Sequence, residues 1–137
     1  MGLILDSDYI VASERRGHSI LQILEQVEAA FGKVELGISV ITAAELTLGA
    51  YRAQDAARQQ RRLAFIDRLC KDVPVYPVTL QIARMVGRLE GELANQGLAL
   101  PFEDLAIGVT ALHLGFDVAT RNVKHFALIP GLNVVTI

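Results

Sequence analysis

The sequence predicts an α/β domain with a short, mostly parallel central sheet flanked by helices on both faces. Three observations carry that expectation. Short apolar runs at residues 3–5, 35–41 and 116–120 alternate with longer stretches whose apolar residues recur at helical spacing. Glycine, proline and cap residues punctuate the boundaries between them. No linker, internal repeat or low-complexity segment interrupts the pattern, so the 137 residues are expected to form one domain, 1–137.

Taken in order, residues 3–5 read as a buried strand, followed by a helix over 7–16 that Gly17 stops. Residues 18–32 place Ile20, Ile23, Leu24, Val27 and Phe31 on one helical face, and Gly32 closes the helix. A second strand is expected over 35–41. Thr42 and Glu45 then have the spacing of a Thr-x-x-Glu capping box at the start of a helix over 42–54. Residues 55–72 form an amphipathic helix, with Leu63, Phe65, Ile66, Leu69 and Cys70 near its buried face. Pro74 and Pro77 make 73–78 an extended connector or edge strand. A helix over 79–97 ends at Asn95–Gly97. The helix that begins after Pro101 is apolar on most sides, which marks it as central. A third strand is read at 116–120, a connecting loop at 121–131 and a last short strand at 132–137.

Hydrophobic residues make up 52% of the chain and charged residues 20%, which excludes disorder as the default. With no tryptophan and 6% aromatics, the core must be aliphatic. The lone Cys70 can form no internal disulfide and fits a reducing compartment. Asp6 interrupts the first apolar run, so no signal peptide or membrane span is expected, and a cytoplasmic location follows. The net charge of −2 argues against coating nucleic acid through bulk charge. Local basic clusters remain: Arg15 and Arg16; Arg58, Arg61, Arg62 and Arg68; Arg121 and Lys124.

Ligands of parallel α/β sheets bind beyond the carboxyl ends of the strands. Asp6 directly follows the first strand, and Thr120, Arg121 and Asn122 follow the third. Glu45 lies about a turn past the second strand, and Asp104 is in the first turn of the central helix. Each has a plain structural explanation: Asp6 as a helix cap, Glu45 as a capping-box partner, Asp104 as a first-turn acid favoured by the helix dipole. Together they recur at one end of successive elements. Three ionised carboxylates about 4 Å apart would cost roughly 4 kcal/mol per pair at an effective dielectric of 20. That is on the order of 12 kcal/mol for three pairs, comparable to a whole domain's stability. Such a cluster must take up protons or bind a cation, and oxygen-only donors suit Mg²⁺ or Mn²⁺.

The opening hydrophobic run with Asp6-Ser7-Asp8 resembles the haloacid-dehalogenase-like phosphatases, in which the first aspartate is a nucleophile. Tyr9 and Ile10 depart from that family's continuation, and its later lysine and paired acids are missing. A second resemblance spans nearly the whole chain. "LILDSDYI", "ISVITAAELTLGA" and "PFEDLAIGVTALHLGFDVATRNVKHFALIPGLNVV" are similar, in that order and spacing, to the PIN-domain ribonucleases. They are most similar to the VapC toxins of VapBC toxin–antitoxin pairs.

That resemblance implies a Mg²⁺-dependent endoribonuclease, with Mn²⁺ as an alternative ion, that leaves a 5′-phosphate and a 3′-hydroxyl. It assigns Asp6, Glu45 and Asp104 as metal-holding catalytic acids and Ser7 and Thr120 as pocket-lining hydroxyls. Where relatives carry a fourth acid, this chain has Asn122 and His125, so Asn122 is expected to position water or phosphate. His125 reads as a solvent-exposed loop residue in preference to a phosphate contact, and His18 and His113 as structural. Arg121 and Lys124 are candidate RNA phosphate contacts. The resemblance further implies a homodimer, a VapB-type antitoxin and a tRNA, rRNA or mRNA substrate. The alternative in another class is a PIN-like binding module whose thinned acid set no longer supports catalysis.

Overall fold

The computed structural model describes residues 1–137. Five strands and seven helices follow one another as β1 (Gly2–Leu5), α1 (Ser7–Arg15), α2 (Ile20–Phe31), β2 (Glu35–Ser39), α3 (Val40–Tyr51), α4 (Ala56–Asp72), β3 (Val75–Tyr76), α5 (Leu80–Asn95), α6 (Phe102–Leu114), β4 (Asp117–Ala119), α7 (Val123–Phe126) and β5 (Val134–Val135). The strands form one sheet in the order β3-β2-β1-β4-β5. Every pairing is parallel. The α/β expectation therefore holds, and the sheet is wholly rather than mostly parallel.

Side-chain alternation along β1 divides the core. Leu3 and Leu5 point to one face, where they join Ile10, Ile23, Val27, Ile66 and Leu69 from the helices. Ile4 points to the other, with Val86, Leu105, Ile107 and Val109. Leu3, Ile4 and Leu5 are fully buried, each such side chain contributing about 1.5–3 kcal/mol by its removal from water. The central reading of α6 holds too, since Leu105 through Ala111 are all buried. Within it, a Cβ on Gly108 would meet the Ile129 side chain, so the glycine lets α6 close against the segment after α7.

Four local expectations are corrected. The Thr42–Glu45 capping box does not form: α3 begins at Val40, and Ser39 caps it by accepting from the Ile41 N–H at 3.1 Å. The predicted second strand accordingly ends at Ser39, because a buried serine that can cap wins over the β-branched residues after it. Residues 121–131 are not a plain loop, for they contain the one-turn helix α7. Cys70, expected on the buried face, is exposed, since Ile66 and Leu69 are the residues that α4 buries. The stretch with two prolines is, as expected, an edge strand, β3. No helix is long and apolar enough to cross a membrane.

Candidate active site

The site begins where β1 and β4 end side by side. Their register pairs Leu5 with Ala119, and the Asp6 N–H continues it by donating to the Ala119 carbonyl at 3.0 Å. Asp6 and Thr120 are thereby held as neighbours, both buried. The Thr120 hydroxyl donates to Asp6 Oδ2 at 2.8 Å, and the Ser7 N–H donates to Asp6 Oδ1 at 2.8 Å as the cap of α1. Asp6 has no basic side chain among its partners. Burial pushes its carboxyl up from 3.8 to about 7; the Thr120 hydrogen bond opposes that rise, and Asp8 and Asp104 reinforce it.

Because α3 starts earlier than the sequence implied, Glu45 lies in its second turn and is free of any capping duty. The Ser7 hydroxyl donates to Glu45 Oε1 at 3.1 Å, which ties α3 to the start of α1. Burial raises the Glu45 pKa, the Ser7 hydrogen bond opposes the rise, and the charges of Asp104, Glu103 and Asp8 add to it. Asp104 enters from the first turn of α6. Its Oδ2 lies 2.8 Å from His125 Nδ1, which is itself 2.8 Å from Asn122 Nδ2. One Nδ1 cannot donate to Asp104 and accept from an amide at once. An ionised Asp104 selects Nδ1–H, and Asn122 then turns its amide oxygen toward the ring.

Ser7, Asp8 and Glu45 open into a cleft of about 390 Å³ that Arg15 and Arg121 also line, while Asp6, Thr120 and Asp104 lie outside its lining. Arg121 is therefore at the site, whereas Lys124 lines none of this cleft and is exposed. No three carboxylate or imidazole groups converge into a ready coordination shell.

The PIN domain family profile matches residues 3–132. This chain belongs to the PIN-domain family.

Ribonuclease VapC1 of Rickettsia felis is 31% identical to this PIN-domain protein over 137 residues, covering all of the chain and 97% of that relative. The solved structure of VapBC-1 from nontypeable Haemophilus influenzae superimposes with a TM-score of 0.82 at 29% identity, covering 99% of this chain and 98% of that one. A member of the VapBC family of toxin–antitoxin systems, VapBC-5 from Mycobacterium tuberculosis, gives a TM-score of 0.73 at 26% identity, covering 99% and 97%. The protein is thus related along its whole length to the VapC ribonucleases. That membership sets aside the phosphatase reading of Asp6-Ser7-Asp8.

Two residues of this PIN domain were missed at the sequence level. Asp8 was read only as the second acid of an Asp-x-Asp; in the structure its Oδ1 is buried with no hydrogen-bond partner. It also raises the proton affinity of both Asp6 and Glu45. The available signal was its place two residues after Asp6, in the first turn of α1. His125 was expected in solvent and instead holds Asp104, because α7 turns it back toward α6. His18 Nδ1 lies 3.2 Å from Gln26 Nε2.

The donors fit a hard divalent cation in kind: oxygens only, one of them orphaned and buried, beside a buried carboxylate without a counter-ion. Mg²⁺ is commonly held by one or two carboxylates with waters completing its shell, so a preformed three-acid cage is not required.

Proposed function

We propose that this protein is a Mg²⁺-dependent endoribonuclease toxin of a type II toxin–antitoxin pair, built as one PIN domain over residues 1–137. The observation that carries the reading is buried Asp6, without a basic partner, facing the charges of Asp8 and Asp104 at the end of a parallel sheet. Asp6, Glu45 and Asp104 would hold Mg²⁺, or Mn²⁺ in its place, with Asp8 adding negative charge beside them. When bound, such an ion lowers the pKa of a water and neutralises charge on a phosphodiester.

The protein's own groups do the rest. Thr120 and the Ser7 N–H fix the Asp6 carboxylate, and the Ser7 hydroxyl fixes Glu45. Asn122 and His125 orient Asp104, which gives Asn122 a role through that carboxylate as well as toward water or phosphate. Arg121, at the rim of the cleft, contacts an RNA phosphate, and Lys124 does so from outside it. The solved relatives from toxin–antitoxin systems support a VapB-type antitoxin as partner; a homodimer and a cytoplasmic setting belong to the same proposal.

The deciding experiment is cleavage of total cellular RNA by the antitoxin-free protein, with Mg²⁺ or Mn²⁺ against EDTA, mapping new 5′ ends. Discrete cuts that require metal and are lost in Asp6→Asn and Asp104→Asn support the reading. RNA left intact at high protein concentration would favour the second reading, a PIN domain that acts only by binding. That reading draws on His125 occupying Asp104 and on the lack of three converged ligands.

A further inference from the structure

Three of the four arginines of α4 share one cleft, and the fourth, Arg68, pairs with Asp72 outside it. Arg58, Arg61 and Arg62 line a cleft of about 420 Å³, closed on its other side by Glu14, Arg15 and His18 at the end of α1 and just beyond it. Four guanidinium groups face one carboxylate there, in a protein whose overall charge is −2. All four cations are arginine, the side chain whose planar fork matches phosphate oxygens two at a time.

Three of the six groups are already engaged, His18 by the Gln26 side chain. Arg62 donates from Nη1 to the Gly49 carbonyl at 2.9 Å, and Arg58 Nε lies 3.5 Å from Asp55 at the helix start. Glu14 is held partly buried between Arg15 and Arg62, and burial raises its pKa against the pull of both. Arg61 forms no ion pair.

The basic cleft is continuous with the acidic site. A smaller cavity of about 140 Å³ joins them, lined by Glu14, Arg15 and Arg62 from the basic side and by Glu45 from the acidic side. Arg15 also lines the cleft that holds Asp8, Glu45 and Arg121. A polyanion lying along Arg58, Arg61 and Arg15 therefore arrives at the carboxylates next. Val11, Leu46, Phe65 and Ile66 form the hydrophobic walls of that joining cavity.

We propose that the cleft between α4 and the end of α1 is a phosphate-binding track for single-stranded RNA, delivering the strand to Asp6, Glu45 and Asp104. The inference rests on the nuclease reading for what happens at the end of the track, but RNA binding in the cleft is measurable by itself. Phosphate contacts position a strand without reading its bases, so the track sets where RNA enters and adds affinity of low sequence preference.

The test uses the full chain carrying Asp6→Asn, and a fluorescein-labelled single-stranded RNA of about a dozen nucleotides. Anisotropy titrations at several salt concentrations give the slope of log affinity against log salt. Each lost phosphate contact on a single strand lowers that slope by about 0.7. Arg58→Gln with Arg61→Gln should therefore reduce it by roughly 1.4 and weaken binding about tenfold or more at low salt. Arg58→Lys with Arg61→Lys should retain most of the slope, and Glu14→Gln should tighten binding.

An unchanged slope in the glutamine pair overturns the track. So does a pair that binds RNA normally but loses affinity for an antitoxin, which would make the cleft a protein-docking surface. If the Asp6-bearing protein cuts no RNA while the slope still falls, the track stands and the nuclease reading fails. If it cuts RNA and the slope does not move, the reverse holds.

Discussion

The Thr120 hydroxyl donates to Asp6 Oδ2 at 2.8 Å, joining residues 114 positions apart in the chain. Thr120 Oγ1 in turn accepts the Asn122 N–H at 2.9 Å. Thr120 thus links the carboxylate at the end of β1 to the turn that sends α7 back toward Asp104.

Replacing Thr120 by valine should cost on the order of 1–3 kcal/mol of unfolding free energy. It strips a buried carboxylate of its hydroxyl donor and leaves the Asn122 N–H without an acceptor. Thr120→Ser should keep most of that stability. Urea denaturation of the three proteins, compared at matched m-values, measures the difference.

Stability of the metal-free protein should fall as pH rises from about 4 to about 7. Asp6 is raised from 3.8 to about 7 by burial, so the folded form holds its proton more tightly than the unfolded form does. The stabilisation is complete below the unfolded value and is lost as pH passes the folded one. At about 1.4 kcal/mol per tenfold change in proton affinity, the loss is on the order of 4 kcal/mol at most. Glu45 shifts in the same direction. Thermal unfolding in EDTA should therefore give a lower Tm at pH 8 than at pH 5.5, with the gap narrowed in Asp6→Asn. Adding Mg²⁺ should raise Tm more at pH 8, where a cation replaces the missing proton.

His125→Asp should tighten divalent-metal binding by at least about tenfold, equivalent to 1.4 kcal/mol. It removes a ring nitrogen that engages Asp104 Oδ2 and puts a carboxylate beside that acid. Calorimetric titration with Mn²⁺ reads this without reference to RNA cleavage. Equal or weaker binding would count against metal ligation by Asp104.

Ser39→Ala should destabilise the protein by about 1 kcal/mol, because Ser39 caps α3. Thr42→Val should be neutral or stabilising, because the buried Thr42 hydroxyl has no hydrogen-bond partner. Denaturation midpoints of the two variants would separate this arrangement from the capping box that the sequence suggested.

The sequence by itself determined the architecture. Its apolar runs were too short and too continuous for anything but strands covered on both faces, and the helical periodicities between them were unambiguous. It also marked the acids by their places in the elements, with Asp6 directly after β1, Glu45 early in the helix that follows β2 and Asp104 in the first turn of α6. Local rules failed where two local candidates competed. Ser39 and Thr42 can each cap a helix, and burial of Ser39 at the end of β2 decided between them. Cys70 could sit on either side of its stripe until α4 packed on Ile66 and Leu69. Only the tertiary structure could place Asp8 inward, bring His125 onto Asp104 and join the α4 arginines to the acidic cleft. Those relations depend on where elements far apart in the chain meet, and charge interactions of that kind leave no periodic trace in a sequence.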